Sequence, residues 1–311
     1  MPSSPRKPRV VVIVGPTGVG KSALALRLAS RRGAEIVSAD SMQVYRHMDI
    51  GTAKPTEADR AAVPHHLIDL VDPDEPFNAA LYRERAAEVI GDLHRRGKPV
   101  LVVGGTGLYV KVLLGGLVDG PGPDETLRRH YRDLLESRGR EYLHELLVRR
   151  DPRAAAAIPP SDAVRTIRAL EVLDRTGRSI VDIRAGHRFA DRPYDTLLIG
   201  LTMERAELFA AIDRRVDAML DQGFVEEVKR LLEMGYGENL KSMQSLGYRQ
   251  IVDALRGRSG LADAVDKMRR ATKAFAKRQG TWFRADDAIR WFTPGQEDAV
   301  ETEVLRFWHV P

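Results

Sequence analysis

Residues 9–32 run from an unbroken apolar, β-branched stretch, RVVVIV, through GPTGVGKS into SALALRLASRR. That order constrains the fold more than any other feature of the chain. A continuous apolar run of strand length reads as a strand buried on both faces, which is the situation in parallel sheets covered by helices. Beyond the turn, Leu24, Ala25 and Leu28 recur at helical spacing and mark one buried helix face. The turn itself fits G-x-x-x-x-G-K-[ST], with a strand before it and a helix after it, as such a motif requires. Gly15, Pro16, Thr17, Gly18, Val19, Gly20, Lys21 and Ser22 therefore predict a phosphate cradle. Glycines let backbone N–H groups turn toward phosphate oxygens, and the helix N-terminus adds partial positive charge. Lys21 supplies a cation and the Ser22 hydroxyl a ligand for Mg²⁺. The spacing identifies a diphosphate binder. It leaves open whether the diphosphate belongs to a nucleotide such as ATP or to another cargo.

The alternation continues. AEIVSAD (34–40) reads as a second strand ending in an acid, and 77–97 as a helix with Asn78 near its cap and Gly97 at its end. KPVLVVGGTG (98–107) reads as another buried strand entering a glycine turn. This strand–helix order implies an α/β fold, a parallel sheet with flanking helices on both faces. Near LVDGPGPDE (117–125) the pattern becomes all-helical, with helices expected over 124–138, 140–150, 162–176 and 179–185. DTLLIGLTM (195–203) then restores a strand. We therefore expect a P-loop NTPase-like core over 1–118 and 192–311, with an all-helical insertion domain at 119–191. Helices over 204–222, 224–234, 247–256 and 261–283, a short strand in AIRWF and a helix from about 296 complete the core.

A P-loop kinase or ATPase also needs an apolar strand ending in an Asp that holds the metal. VLVVGG ends instead in glycines and Thr106, and LIDLVD (67–72), the substitute, is bracketed by Pro64 and Pro73. The acid that does stand at a strand end is Asp40. Strand C-termini are where open α/β sheets bind ligands. Beside a P-loop, Asp40 is a candidate general base or indirect Mg²⁺ ligand, with helix capping as the plainer alternative.

Charge points to a polyanion. The chain carries 49 Lys and Arg against 44 Asp and Glu, and residues 261–284 alone hold seven basic and two acidic residues. Arg269, Lys273 and Lys277 recur every four residues and share one helix face, which suits a phosphate backbone. The absence of cysteine excludes disulfides and thiolate metal sites and suits a reducing cytoplasm. Apolar runs are strand-sized, so no membrane span is expected. Nor is a signal peptide, since cleavage after the first apolar run would destroy the glycine turn.

GPTGVGKS, VSADSMQVYRHMDIGTAKP, PHHLIDLVDPDEPFNAALY, VGGTGLYVKVLLGGL, SLGYRQI and AKRQGTWFR follow one another in this chain. Together, from about residue 9 to 293, they resemble the bacterial tRNA dimethylallyltransferases, the delta-2-isopentenylpyrophosphate tRNA-adenosine transferase family. The resemblance implies that the P-loop grips dimethylallyl diphosphate with Mg²⁺ as cofactor. The five-carbon group would pass to the exocyclic amine of the adenosine just 3′ of the anticodon, releasing diphosphate. It implies Asp40 as base, and Lys21 and Thr106 as further active-site groups; a helix N-cap is the plainer role for Thr106. The partner it implies is the tRNA anticodon stem-loop. The contacts would come from Ser41, Met42 and Gln43, from Thr106 and Arg128, and from Val164, Arg165, Thr166, Ile167 and Arg168, a run that by sequence alone reads rather as a solvated helix face. Gln244, Ser245, Leu246, Gly247, Tyr248 and Arg249 would follow, although Tyr248 also suits core packing. Lys277, Arg278, Gln279, Gly280, Thr281, Trp282, Phe283 and Arg284 would complete the set. A cytoplasmic monomer is expected.

Three other readings share some of these features. An adenylate dimethylallyltransferase using free AMP, ADP or ATP would have the cradle and the acid but no need of the basic helix or the Arg-rich insertion. A small-molecule kinase lacks its acid-ended strand. A non-catalytic RNA-binding protein would not need Lys21, Ser22 and Asp40 together.

Overall fold

The computed structural model describes residues 7–117, 120–187 and 191–309. The chain begins with β1 (Arg9–Val14), α1 (Lys21–Arg32), β2 (Glu35–Ser38), α2 (Glu57–Ala62), β3 (His65–His66), α3 (Ala79–Arg95), β4 (Val100–Val103) and α4 (Gly107–Gly115). Four helices follow: α5 (Glu125–Arg150), α6 (Pro152–Ala157), α7 (Ala163–Thr176) and α8 (Ile180–His187). The rest comprises β5 (Asp195–Leu201), α9 (Arg205–Asp221), α10 (Phe224–Glu233), α11 (Tyr248–Leu255), α12 (Leu261–Arg284), β6 (Arg290–Phe292) and α13 (Glu297–His309). Two compact units result, residues 1–114 with 192–311, and residues 115–191.

In the first unit six strands form one sheet in the order β3-β2-β4-β1-β5-β6, and every pairing is parallel. The expected α/β architecture is therefore what the chain adopts. β1 lies inside the sheet, Val12 facing Val102 of β4 on one side and Leu198 of β5 on the other. Val10 to Val14 are wholly buried, which is why that run shows no polar alternation. Leu24, Ala25 and Leu28 of α1 pack with Ile13, Leu101, Ile199 and Ile212 in one core.

Two features of the sheet bear on the site. The strand leading to Asp40 is not the neighbour of the P-loop strand, because β4 runs between them. LIDLVD is no strand: Leu67 and Asp69 have φ of 63° and 54°, and only His65–His66 pairs with β2. Sequence reading also passed over α2, although Thr56 and Asp59 form the capping box that opens it.

Residues 115–191 have a core of their own, built around Tyr131, Leu143, Leu147, Ala154 and Leu170. The break expected near 139 is real, since Gly139 takes φ 83° and ψ 170° within α5. α6 was not anticipated, yet Asp151 caps it, accepting from the Ala154 amide at 3.0 Å, and Pro152 fills its first position.

Candidate active site

The phosphate cradle is a consequence of backbone geometry. Gly15, Gly18 and Gly20 have φ of 143°, 85° and 97°. A Cβ on Gly15 would lie 2.5 Å from the Leu201 carbonyl oxygen, so no other residue fits there. Gly20 caps α1 without a side chain, leaving the first-turn amides for an external anion. Lys21 folds back so that Nζ donates to the Pro16 carbonyl at 2.7 Å. Burial, reinforced by the positive charge of Arg215 and only partly offset by Asp40, draws the Lys21 amine down to about 7. One amide of the loop is already committed: Thr17 N–H donates to Gln279 Oε1 at 2.8 Å, and Gln279 Nε2 donates to the Gly105 carbonyl at 2.9 Å. Gln279 of α12 thus ties the P-loop to the turn after β4.

Asp40 lies two residues beyond β2. Its Oδ1 accepts from the Met42 amide at 2.8 Å. Thr106 Oγ1 accepts from the Ser41 amide at 3.0 Å, while the Thr106 carbonyl accepts from the Tyr109 amide at 2.9 Å at the start of α4. Thr106 therefore begins a helix and steadies the Asp40 loop at once. Behind that loop stands the GTAKP segment. The Lys54 ammonium is buried and donates to the Tyr45 carbonyl at 2.8 Å, Asp49 Oδ1 at 2.6 Å and Asp69 Oδ1 at 2.5 Å. Removing a lysine from water costs several kcal/mol unless partners of this kind replace the solvent. It joins the 45–54 loop to the 67–72 loop, where Tyr45 also bridges Val71.

Thr17 of the glycine turn and Asp40 line one cavity of about 280 Å³, while Gly18, Val19 and Gly20 line a second of about 310 Å³. Thr17, Asp40, Ser41, Thr106 and Arg215 are among the polar residues that line the first, and Ile212, Val216, Met219, Met268 and Phe275 among the apolar ones. Arg215, on α9, was missed in the sequence. It faces Asp40, whose charge partly offsets the effect of burial on the guanidinium. The donor set also suits Mg²⁺, which keeps several waters and takes few protein oxygens beside substrate phosphates. Ser22 offers an exposed hydroxyl in the first turn of α1, and among the described residues no protein group donates to Asp40 Oδ2.

Several residues expected on tRNA are committed to partners within the chain. Gln43 accepts from Ser38 Oγ at 3.0 Å and donates to the Ala53 carbonyl at 3.1 Å, so its amide braces the loop. Gly247 and Tyr248 are buried; the Tyr248 hydroxyl donates to Glu227 Oε1 at 2.6 Å and its ring packs edge-on against Phe224. Gln279, Gly280 and Phe283 face inward on α12. Arg269 and Lys273 pair with Asp217 and Asp213 of α9, Lys273 at 2.7 Å, so that face of α12 is a helix–helix seam. In the helical unit Arg128 and Arg168 both bind the fully buried Glu171, and Thr166 is buried. Ile167 is partly buried against that unit's core.

Other expected residues do reach the surface. Val164, Arg165, Gln244, Arg249, Lys277, Arg278, Thr281, Trp282 and Arg284 are exposed, while Ser245, Leu246 and Met42 are partly so and line the cavity. Trp282 is about half exposed, with Lys111 Nζ 5.9 Å from its ring centre.

A parallel sheet with a glycine-rich strand-to-helix turn, and a carboxylate beside a partly open cavity lined largely by apolar residues, is the architecture of an α/β enzyme whose ligand binds at the carboxyl edge of the strands. Comparison with known proteins narrows this. Residues 43–286 match the family model described as IPP transferase, and 8–69 that described as isopentenyl transferase. The chain is 58% identical over 307 residues to tRNA dimethylallyltransferase 2 of Syntrophus aciditrophicus, covering 99% of this chain and 97% of that protein. It is 51% identical to the tRNA dimethylallyltransferase of Geobacter metallireducens, covering 97% and 98%. Among solved structures, the tRNA isopentenylpyrophosphate transferase of Bacillus halodurans superposes with a TM-score of 0.72 at 39% identity, covering 97% of each chain. A eukaryotic dimethylallyltransferase captured acting on tRNA gives 0.78 at 31% identity, covering 96% of this chain and 77% of that one. The chain belongs to the IPP transferase family.

Proposed function

We propose that this protein transfers the dimethylallyl group of dimethylallyl diphosphate to the exocyclic amine of the adenosine 3′-adjacent to the anticodon in tRNA. The observation that carries the proposal is one cavity whose lining combines Thr17, Asp40 and Arg215 with a set of apolar side chains, Ile212, Val216 and Met219 among them. A diphosphate bearing a short hydrocarbon fits that polarity. A nucleoside triphosphate would place a polar base and ribose against Ile212, Val216 and Met219.

In this reading the first-turn amides of α1, Lys21 and Arg215 hold the diphosphate, and Ser22 holds Mg²⁺. Mg²⁺, when bound, would supply positive charge that stabilises the departing diphosphate. The allylic C–O bond breaks, its electron pair leaves with the diphosphate, and the adenine nitrogen forms the new C–N bond. Asp40 accepts the proton that nitrogen loses. An aromatic amine is a weak nucleophile, so a positioned base contributes about 10²–10⁴-fold. The amides and Lys21 act on the leaving group, because charge develops there as the bond breaks. Thr106 steadies Asp40 through Ser41. Exposed Lys277, Arg278, Trp282 and Arg284 supply charge and a stacking face for an anticodon loop, whose target base must leave its stack to reach Asp40. The protein would work in the cytoplasm as a monomer.

The test is transfer of label from dimethylallyl diphosphate, with Mg²⁺, to tRNA or to AMP in parallel. Label in tRNA alone supports the proposal. Label in AMP would instead make the protein an adenylate prenyltransferase.

A further inference from the structure

One wall of the cavity is held from a distance. Glu227 of α10 is 1% exposed, and both of its oxygens are occupied. Oε2 accepts from the Asp49 amide at 2.9 Å and the Ile50 amide at 2.7 Å. Oε1 accepts from the Gly51 amide at 3.2 Å and the Tyr248 hydroxyl at 2.6 Å. An ionised carboxylate accepts and never donates, so four converging donors make a seat for a glutamate anion; a glutamine would direct N–H groups at N–H groups. Burial, and then the nearness of Glu227, push the Tyr248 phenol well above its ordinary range, so it stays a donor.

What the carboxylate holds is the cavity itself. Gly51, Thr52 and Tyr248 all line it, beside Asp40 and Met219. Gly51 is pressed so closely that a Cβ would lie 2.2 Å from the Phe224 ring and 2.6 Å from that of Tyr248. Lys54 adds a side-chain tie from Asp49 to Asp69, but among the described residues only Glu227 takes the backbone amides of 49–51. Glu227 is thus the link that joins residues 49–51 to the start of α11 and keeps the wall from yielding outward.

We propose that Glu227 is a positioning residue that fixes this wall and thereby restricts the cavity to a short allylic chain. This rests on the reading that the cavity receives the hydrocarbon of a prenyl diphosphate. Apolar pockets discriminate about 10–200-fold per methylene while their walls hold. A wall freed of its anchor gives up part of that discrimination.

The experiment compares the full-length wild type with Glu227→Gln in two ways. Amide hydrogen exchange is measured on the ligand-free proteins, and kcat/KM on a tRNA anticodon stem-loop with dimethylallyl and with geranyl diphosphate. The proposal expects exchange at residues 49–51 to accelerate about 100-fold while β1 and β4 keep their protection. It also expects the preference for the five-carbon over the ten-carbon donor to fall by about tenfold or more. A merely destabilised protein would lose both rates together and keep the ratio. Unchanged exchange at 49–51, or an unchanged ratio, overturns the proposal. Should Glu227→Gln not fold, Tyr248→Phe removes one donor of the four, and a shift of about threefold in the ratio is expected; no shift overturns the proposal in the same way. If the wild type transfers neither chain, the proposed function fails, and the exchange comparison still decides whether Glu227 anchors the wall.

Discussion

The Lys21 amine gives the most quantitative handle on the cradle. Its ordinary value is 10.5, and burial next to Arg215 lowers it to about 7. Below about 7 the amine in the free protein is charged and meets the diphosphate ready-made. Above that it is neutral, and an arriving diphosphate must recruit a proton before the ion pair forms. Affinity therefore falls as pH rises. Each pKa unit is worth about 1.4 kcal/mol. If the bound diphosphate restores an ordinary lysine value, affinity drops about 20-fold between pH 7.5 and 9. That window lies above the second phosphate ionisation near about 6, so the ligand's own titration contributes little. Calorimetry of dimethylallyl diphosphate binding at pH 8, in two buffers of different ionisation enthalpy, should report uptake of about 0.9 proton per ligand, since a diphosphate monoester, unlike free pyrophosphate, has no ionisation of its own in that window. Lys21→Met should bind weakly and show neither effect. Flat affinity across the window, with no proton uptake by the wild type, would refute the argument.

Other perturbations follow from the same geometry. Gln279→Leu leaves the Thr17 amide and the Gly105 carbonyl unpaired; a loss of about 2 kcal/mol in urea unfolding and a raised KM for the prenyl donor are expected. Lys54→Met strands Asp49 and Asp69, which are partly solvated, so chemical denaturation should show a loss of about 2–3 kcal/mol. Reversing Arg269 and Lys273 to Glu sets acids against Asp217 and Asp213. It should lower Tm and leave the salt dependence of tRNA affinity unchanged, as a filter-binding titration at several ionic strengths would read directly.

The parts of the fold that could be read from sequence were those in which a local pattern carries its own explanation. RVVVIV shows no alternation because both sheet faces bury it, and GPTGVGKS needs positive φ at glycines that the chain supplies. The same holds for Asn78, which accepts from two first-turn amides of α3. What escaped depends on distant partners. Arg215 and Glu227 are single charged residues on amphipathic helices, and nothing within α9 or α10 sets them apart from their neighbours. Their importance arises only when those helices close over the cavity. Arg269 and Lys273 looked free because their acids lie on another helix, although Asp213 and Asp217 recur at the matching four-residue spacing. Motif reading assigned Gln43 and Gln279 to the RNA, because a motif records that a residue matters without saying which way it faces. LIDLVD was legible as a doubtful strand from its bracketing prolines, but that Lys54 pins it as a loop depends on a residue outside the run.

The central claim is that Asp40 removes the proton from the adenine amine while the cradle holds the leaving diphosphate. Single-turnover transfer to an anticodon stem-loop, comparing wild type with Asp40→Asn at saturating dimethylallyl diphosphate, tests it most directly. The account predicts stem-loop affinity within about threefold of wild type and a transfer rate lower by about 10²–10⁴. Transfer by Asp40→Asn at nearly the wild-type rate would contradict it.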